Sequence, residues 1–237
     1  VGAVRLELVR GNPIAGDAAP DPGGRSVPVR VRVVDGALAC LARQGVAKTT
    51  LDDVARAAQC SRATVYRVFP GGKDAVLGAV VDTEIARFFS ALAVSMGEAT
   101  GLEDVLVAGM CEAATRVTTH PVLTSLLEHE PEIVLSRLAF ARMDEVLAVT
   151  CAFTTPFLGR WLDQHEAKRV AEWAARIVVS YLVCPADGVD LTDPRQVRRL
   201  VRLFVLPGIR ALRVPQGGTA RSPRSHVALS TTKGEAS

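Results

Sequence analysis

The stretch Thr49-Thr50-Leu51-Asp52-Asp53-Val54-Ala55, followed after a short gap by Ser61-Arg62-Ala63-Thr64-Val65-Tyr66-Arg67-Val68-Phe69-Pro70, decides how this chain is read. Thr50 and, three residues on, Asp53 supply an N-cap hydroxyl and a first-turn carboxylate ahead of Leu51, Val54 and Ala58, so a short helix starts there. After a tight turn at Gln59-Cys60, Ser61 caps a second short helix from Arg62 to Val68, closed by Pro70-Gly71-Gly72. Two short helices joined by such a turn, behind a scaffold helix, are the arrangement that lays a recognition helix in the DNA major groove. The second helix has the chemistry for it. Val65 and Phe69 face inward, while Ser61, Arg62, Thr64, Tyr66 and Arg67 offer hydroxyl and guanidinium donors and Ala63 is small enough for close approach.

Upstream, Val27, Val29, Val31 and Val33 alternate with Pro28, Arg30 and Arg32 as in a strand, but Val34, Leu38 and Leu41 then share one helical face and Gly45 supplies a stop. The reading is a helix from Pro28 to Gln44. Downstream, a helical pattern runs from Lys73 through Leu77, Val81, Ile85, Phe88 and Leu92 to Gly97. At about 1.5 Å per residue it spans roughly 37 Å, enough to leave one domain and enter another. Further helices are expected at Leu102 to Thr119, Pro121 to His129, Pro131 to Gln164 with a break at Pro156, Glu166 to Cys184, and Pro194 to Leu206. The fold class is all-α: a flexible leader over 1–27, a three-helix helix-turn-helix domain over 28–72, a helical C-terminal domain over 73–213 for ligand binding and dimerisation, and a disordered tail over 214–237.

With 49% hydrophobic residues in 237, the chain can build a core. Its net charge of +3 does not by itself announce nucleic acid. Between Ser26 and Val80, however, eight basic residues face four acidic ones, so the excess is concentrated around the helix-turn-helix. Cys40, Cys60, Cys111, Cys151 and Cys184, an odd number without CxxC spacing, read as buried thiols of a cytoplasmic protein. No apolar run has the length of a membrane span. GxSxG, P-loop and HExxH motifs are absent, so no enzyme and no cofactor is expected. His120, Glu128, His129 and Glu130 do not place two ligands one helical turn apart, and they read as capping and surface residues rather than a metal site.

The two helices quoted above, with Val33-Val34-Asp35-Gly36-Ala37-Leu38 and Gly45 before them and Lys73 after, resemble the TetR/AcrR family of bacterial repressors. The chain departs from the family pattern at Gln59, where a turn glycine is usual, and at Val68, where a histidine is usual. The resemblance implies DNA contacts from Thr50, Ser61, Arg62, Ala63, Thr64, Tyr66, Arg67 and Lys73. It also implies a homodimer on a palindromic double-stranded operator, joined through the last two long helices. The apolar residues Trp173, Ile177, Val178, Tyr181, Leu182, Leu200, Val201, Phe204 and Val205 exceed what one core needs, in keeping with that. Relatives hold an effector between their middle helices, and here Phe88, Phe89, Leu92, Met110, Ala114, Phe140, Met143 and Phe157 are the candidate lining, joined by Met96, Phe153 and Trp161. Such a lining suits a small hydrophobic effector, a lipid or an acyl thioester being candidates. The alternative is an all-helical ligand-binding or scaffold dimer that binds no DNA.

Overall fold

The computed structural model describes residues 27–124 and 143–213, and among these every regular element is helical. In chain order they are α1 (Val29–Lys48), α2 (Leu51–Ala57), α3 (Arg62–Val68), α4 (Gly72–Gly97), α5 (Leu102–Thr118), α6 (Met143–Leu158), α7 (Gln164–Val183) and α8 (Pro194–Leu200). The last runs through a π-helical turn, Val201–Val205, into α9 (Leu206–Arg213). The expected leader up to Ser26, the tail from Val214, and the segment carrying Glu128, His129, Glu130 and Phe140 lie outside the described residues.

The valine alternation before Val34 resolves as helix. Val33, Val34, Ala37 and Leu41 are buried in one stripe while Val31 stays exposed, because a helix with this spacing can reach a core on α2 and α4 that a lone strand cannot. Gly45 breaks α1 with φ +74°, and the buried Thr49 then donates its hydroxyl to the Gly45 carbonyl at 2.7 Å. Further back, α1 and α2 meet at Gly36. A Cβ built there would stand 3.0 Å from the Ala58 amide nitrogen, a backbone atom that cannot swing aside. Gly36→Val is therefore expected to lower stability by about 1–3 kcal/mol, read as a fall in the urea midpoint at unchanged m.

Two apolar cores form. The first gathers Val33, Leu41, Val54, Val65 and Phe69 and takes in Val76, Ala79 and Val80 from α4. The second gathers Leu92 and Met96 of the same helix with Val105, Met110, Leu158, Ala167, Val197 and Val201. Arg198 and Arg202 reach the start of α5, where they hold Glu103 and Asp104 and fasten the C-terminal helices down. Among the described residues no helix is long and apolar enough to cross a membrane.

Three expectations are corrected. The helix after Met143 runs through Pro156 and stops at Leu158, so Gln164 opens the next helix instead of closing this one. Pro156 is tolerated because the carbonyl it leaves unpaired belongs to exposed Ala152, and the hydroxyls of Thr154 and Thr155 bond back to Thr150 and Cys151. The next helix starts where it does because Asp163 and Glu166 form a capping box. The C-terminal helix, expected to end at Leu206, continues to Arg213 across Pro207-Gly208. The π turn shifts the ladder just before that proline, with the Leu206 amide bonding five residues back to Val201. Finally, all five thiols are free, but only Cys40 and Cys151 are buried, while Cys60 and Cys111 are half-buried and Cys184 is exposed.

Candidate nucleic-acid interface and apolar cavity

The local chemistry that starts α2 and α3 also positions the candidate contacts. At α2, the Thr50 hydroxyl accepts from the Asp53 amide at 3.2 Å and donates to its carboxylate at 2.6 Å, and the Thr50 amide donates to the same oxygen. These bonds from Thr50 hold the Asp53 carboxyl below its ordinary range. At α3, the Ser61 hydroxyl accepts from the Thr64 amide at 3.1 Å and lies 2.9 Å from the Thr64 hydroxyl. Between the helices Gln59 sits at φ +53°, the left-handed conformation that glycine adopts freely. The departure from the family pattern thus strains the turn by about 1 kcal/mol. Gln59→Gly is expected to raise stability by up to that amount, seen as a higher melting temperature with operator preference unchanged.

Val65 and Phe69 face inward, both almost fully buried, which turns Arg62, Ala63, Tyr66 and Arg67 out to solvent. Arg62 is already engaged: it donates to the Tyr66 hydroxyl, which with Asp52 raises its basicity, and it pairs with Asp52 at 2.9 Å. Lys73, in the first turn of α4, donates to the Val46 carbonyl at 2.8 Å, tying the end of α1 to α4. Arg30 stacks over the Phe69 ring at 4.4 Å. Of the candidate DNA residues, Thr50, Ser61, Arg62, Ala63, Tyr66 and Arg67 are exposed and Thr64 and Lys73 are half-buried, with Thr50 and Ser61 occupied as caps.

A cavity of about 510 Å³ lies between α4, α5, α6 and α7. Of the candidate effector residues, Phe88, Phe89, Leu92, Met110 and Met143 line it. Ala114 and Phe157 do not; Ala114 is buried in the adjoining core and Phe157 packs beside Phe153. The void owes as much to small residues that sequence reasoning passed over: Gly109 and Ala113 on α5, and Ala171, Ala174 and Ala175 on α7. Their helical spacing, Gly109 with Ala113 and Ala171 with Ala174 and Ala175, is visible in the sequence, but nothing local marks those positions as facing a void. The polar lining consists of Glu145, Thr150 and Thr154. Among the described residues no three candidate ligands gather for a metal ion, and His120 caps a helical turn, accepting from the Leu123 amide.

Comparison with known proteins bears on the helix-turn-helix domain and on the fold. Residues 33–80 match the family model for bacterial regulatory proteins of the tetR family. An uncharacterized HTH-type transcriptional regulator of Mycobacterium tuberculosis is 27% identical over 176 residues, which are 74% of this chain and 83% of the relative. Among solved structures, the TetR family repressor AlkX from Dietzia sp. strain DQ12-45-1b, implicated in biodegradation of n-alkanes, shares the fold. Its TM-score is 0.54 at 23% identity, over 80% of this chain and 98% of that one. The fatty acid degradation regulator FadR from Bacillus halodurans gives 0.50 at 21% identity, over 75% of this chain and 96% of that one. With residues 33–80, from α1 into the start of α4, matching the tetR model and its fold shared with such regulators, the chain carries the helix-turn-helix domain of bacterial regulatory proteins of the tetR family.

Proposed function

We propose that the protein is a repressor that binds a palindromic operator as a homodimer and lets go when a small hydrophobic molecule fills the cavity. One observation carries this reading: α4 contributes Val76, Ala79 and Val80 to the core beneath the DNA-reading helices and Phe88, Phe89 and Leu92 to the cavity wall. An occupant that tilts this helix changes the spacing of two recognition helices in a dimer, so DNA and effector each weaken the other's binding by the same factor. A coupling of about 1–3 kcal/mol releases DNA about 5- to 150-fold. The apolar lining favours a lipid-like effector, an acyl thioester among the candidates, and AlkX and FadR are tied to n-alkane and fatty acid degradation. In this reading residues 28–72 read DNA, residues 73–213 bind effector and dimerise, and a cytoplasmic location follows from access to the operator.

The test is a gel shift on the DNA upstream of the protein's own gene, at two salt concentrations, with and without a panel of hydrophobic ligands. Binding should weaken steeply with salt, and one ligand class should raise the midpoint. Binding that is absent or indifferent to salt would instead favour a ligand-binding dimer without DNA. A ligand that tightens the complex would make the protein co-repressed. Narrowing the cavity separates the two functions: Ala113→Trp, at a lining position, should weaken effector binding and leave ligand-free operator affinity unchanged.

A further inference from the structure

A chain of ionic hydrogen bonds runs from the DNA-reading helices to the cavity wall. Asp35 on α1 accepts from Arg87 Nη2 on α4 at 2.7 Å, and the other terminal nitrogen of Arg87 donates to Glu84 at 2.7 Å. The second oxygen of Glu84 lies 3.1 Å from His120 Nε2, just beyond α5. The Leu123 amide donates to His120 Nδ1, so Nε2 is the nitrogen that presents its proton to Glu84. Both ends are anchored. Asp35 stands on the helix whose buried face holds α2 at Gly36, and His120 lies between Val117 and Leu123, which line the cavity. Glu84 and His120 are about four-fifths buried, so the inner half of this chain is shielded from the screening that makes surface ion pairs weak.

We infer that Asp35, Arg87, Glu84 and His120 form one polar strut that fixes the angle of the DNA-reading helices and thereby determines which half-site spacing the dimer accepts. The inference rests on the dimeric-operator reading above and adds specificity residues that touch no DNA. Its leverage is geometric. From Gly72 to Arg87 is about 22 Å along α4 at about 1.5 Å per residue. A slack of about 5° over that arm moves each recognition helix about 2 Å and the pair about 4 Å, close to one base-pair step of about 3.4 Å. The apolar core at Val76, Ala79 and Val80 holds the two parts together but does not by itself fix their angle, since apolar contact is non-directional. Directional bonds on the far side of α1 do.

The test uses the full chain and the operator recovered from a random DNA library with wild-type protein, remade with its half-sites one base pair closer and one base pair further apart. Wild type should lose about tenfold or more at either altered spacing, the size of one mismatched base pair. Arg87→Ala and His120→Ala should bind all three spacings within about threefold of one another, while base changes inside a half-site remain as damaging as in wild type. Glu84→Gln, which keeps the side chain's size and removes its charge, should broaden the preference in the same way and guards against misfolding of the alanine variants; a melting curve on each variant completes the control. If His120→Ala keeps the wild-type spacing preference, the strut does not reach the cavity wall and the inference fails. Indifference of wild type to spacing would overturn it as well. Recovery of only single half-sites from the library would instead refute the dimeric-operator reading, and with it the inference built on it.

Discussion

Replacing Phe204 by glutamate is expected to give a chain that runs as a monomer in light scattering and binds operator DNA at least about a thousandfold more weakly than wild type. Phe204 is 62% exposed and its neighbour Leu203 55%, an unusual placement for two large apolar side chains at the π turn of the C-terminal helix. On α7, Trp173 and Val183 are also exposed, so the two helices assigned to the dimer interface carry apolar surface that their own core does not cover. Burying one phenylalanine is worth about 1.5–3 kcal/mol, and a two-fold interface counts it twice. Glutamate forfeits that gain and brings two carboxylates toward the axis. Loss of the dimer leaves each chain with one half-site, and specific complexes are typically about 10³- to 10⁷-fold tighter than non-specific ones.

Phe204 is a cleaner probe than Ile177, which sequence reasoning also nominated, because Ile177 packs partly against the second core and a charge there damages the monomer too. Val94 on α4 supplies the control. It is as exposed as Phe204, at 63%, but lies on a helix outside the proposed interface. Val94→Glu should remain dimeric and bind DNA normally. If Phe204→Glu remained dimeric, the interface would lie elsewhere.

Most of the DNA-reading half was legible because its signals are local. The Thr50 and Asp53 pair, the Ser61 cap, the stop at Gly45 and the inward Val65 and Phe69 each depend on residues within one or two turns, and short-range hydrogen bonds and helical spacing are what a sequence displays directly. The cavity was half legible. Searching for large adaptable side chains finds walls such as Phe88 and Met110, but a void exists where volume is missing, and Gly109, Ala113 and Ala174 declare themselves only when their neighbours are known. The Asp35 and Arg87 pair spans 52 positions and had no local signature. The run through Pro207 was misread because a π turn, set by packing on α5, moved the hydrogen-bond ladder off the proline.

The exposed face of α3 leads to the second large effect, a separation of specificity from affinity between Arg62 and Lys73. Arg62 projects from the first turn of the recognition helix and is held by Asp52 and Tyr66, so its guanidinium is oriented before DNA arrives and can exchange the carboxylate for a base edge. Arg62→Ala should weaken the preferred operator by about 5- to 150-fold while leaving random DNA nearly untouched, since one good base contact is worth about 1–3 kcal/mol of discrimination. Thr64→Ala should relax preference in the same direction. Lys73 stands in the first turn of α4, off α3, its ammonium bonded to a carbonyl at the end of α1, so the role proposed for it is a contact to backbone phosphate and not to a base. Lys73→Ala should weaken every sequence alike and reduce the slope of log affinity against log salt by about one unit. Ser61→Ala provides the contrast: it removes a cap and lowers stability by about 1 kcal/mol without changing that slope. Titrations of the four variants at several salt concentrations, on the operator and on random DNA, measure all of this together. An equal loss on both DNAs for Arg62→Ala, or an unchanged slope for Lys73→Ala, would mean that the recognition helix enters the groove in a different orientation from the one its buried Val65 and Phe69 impose.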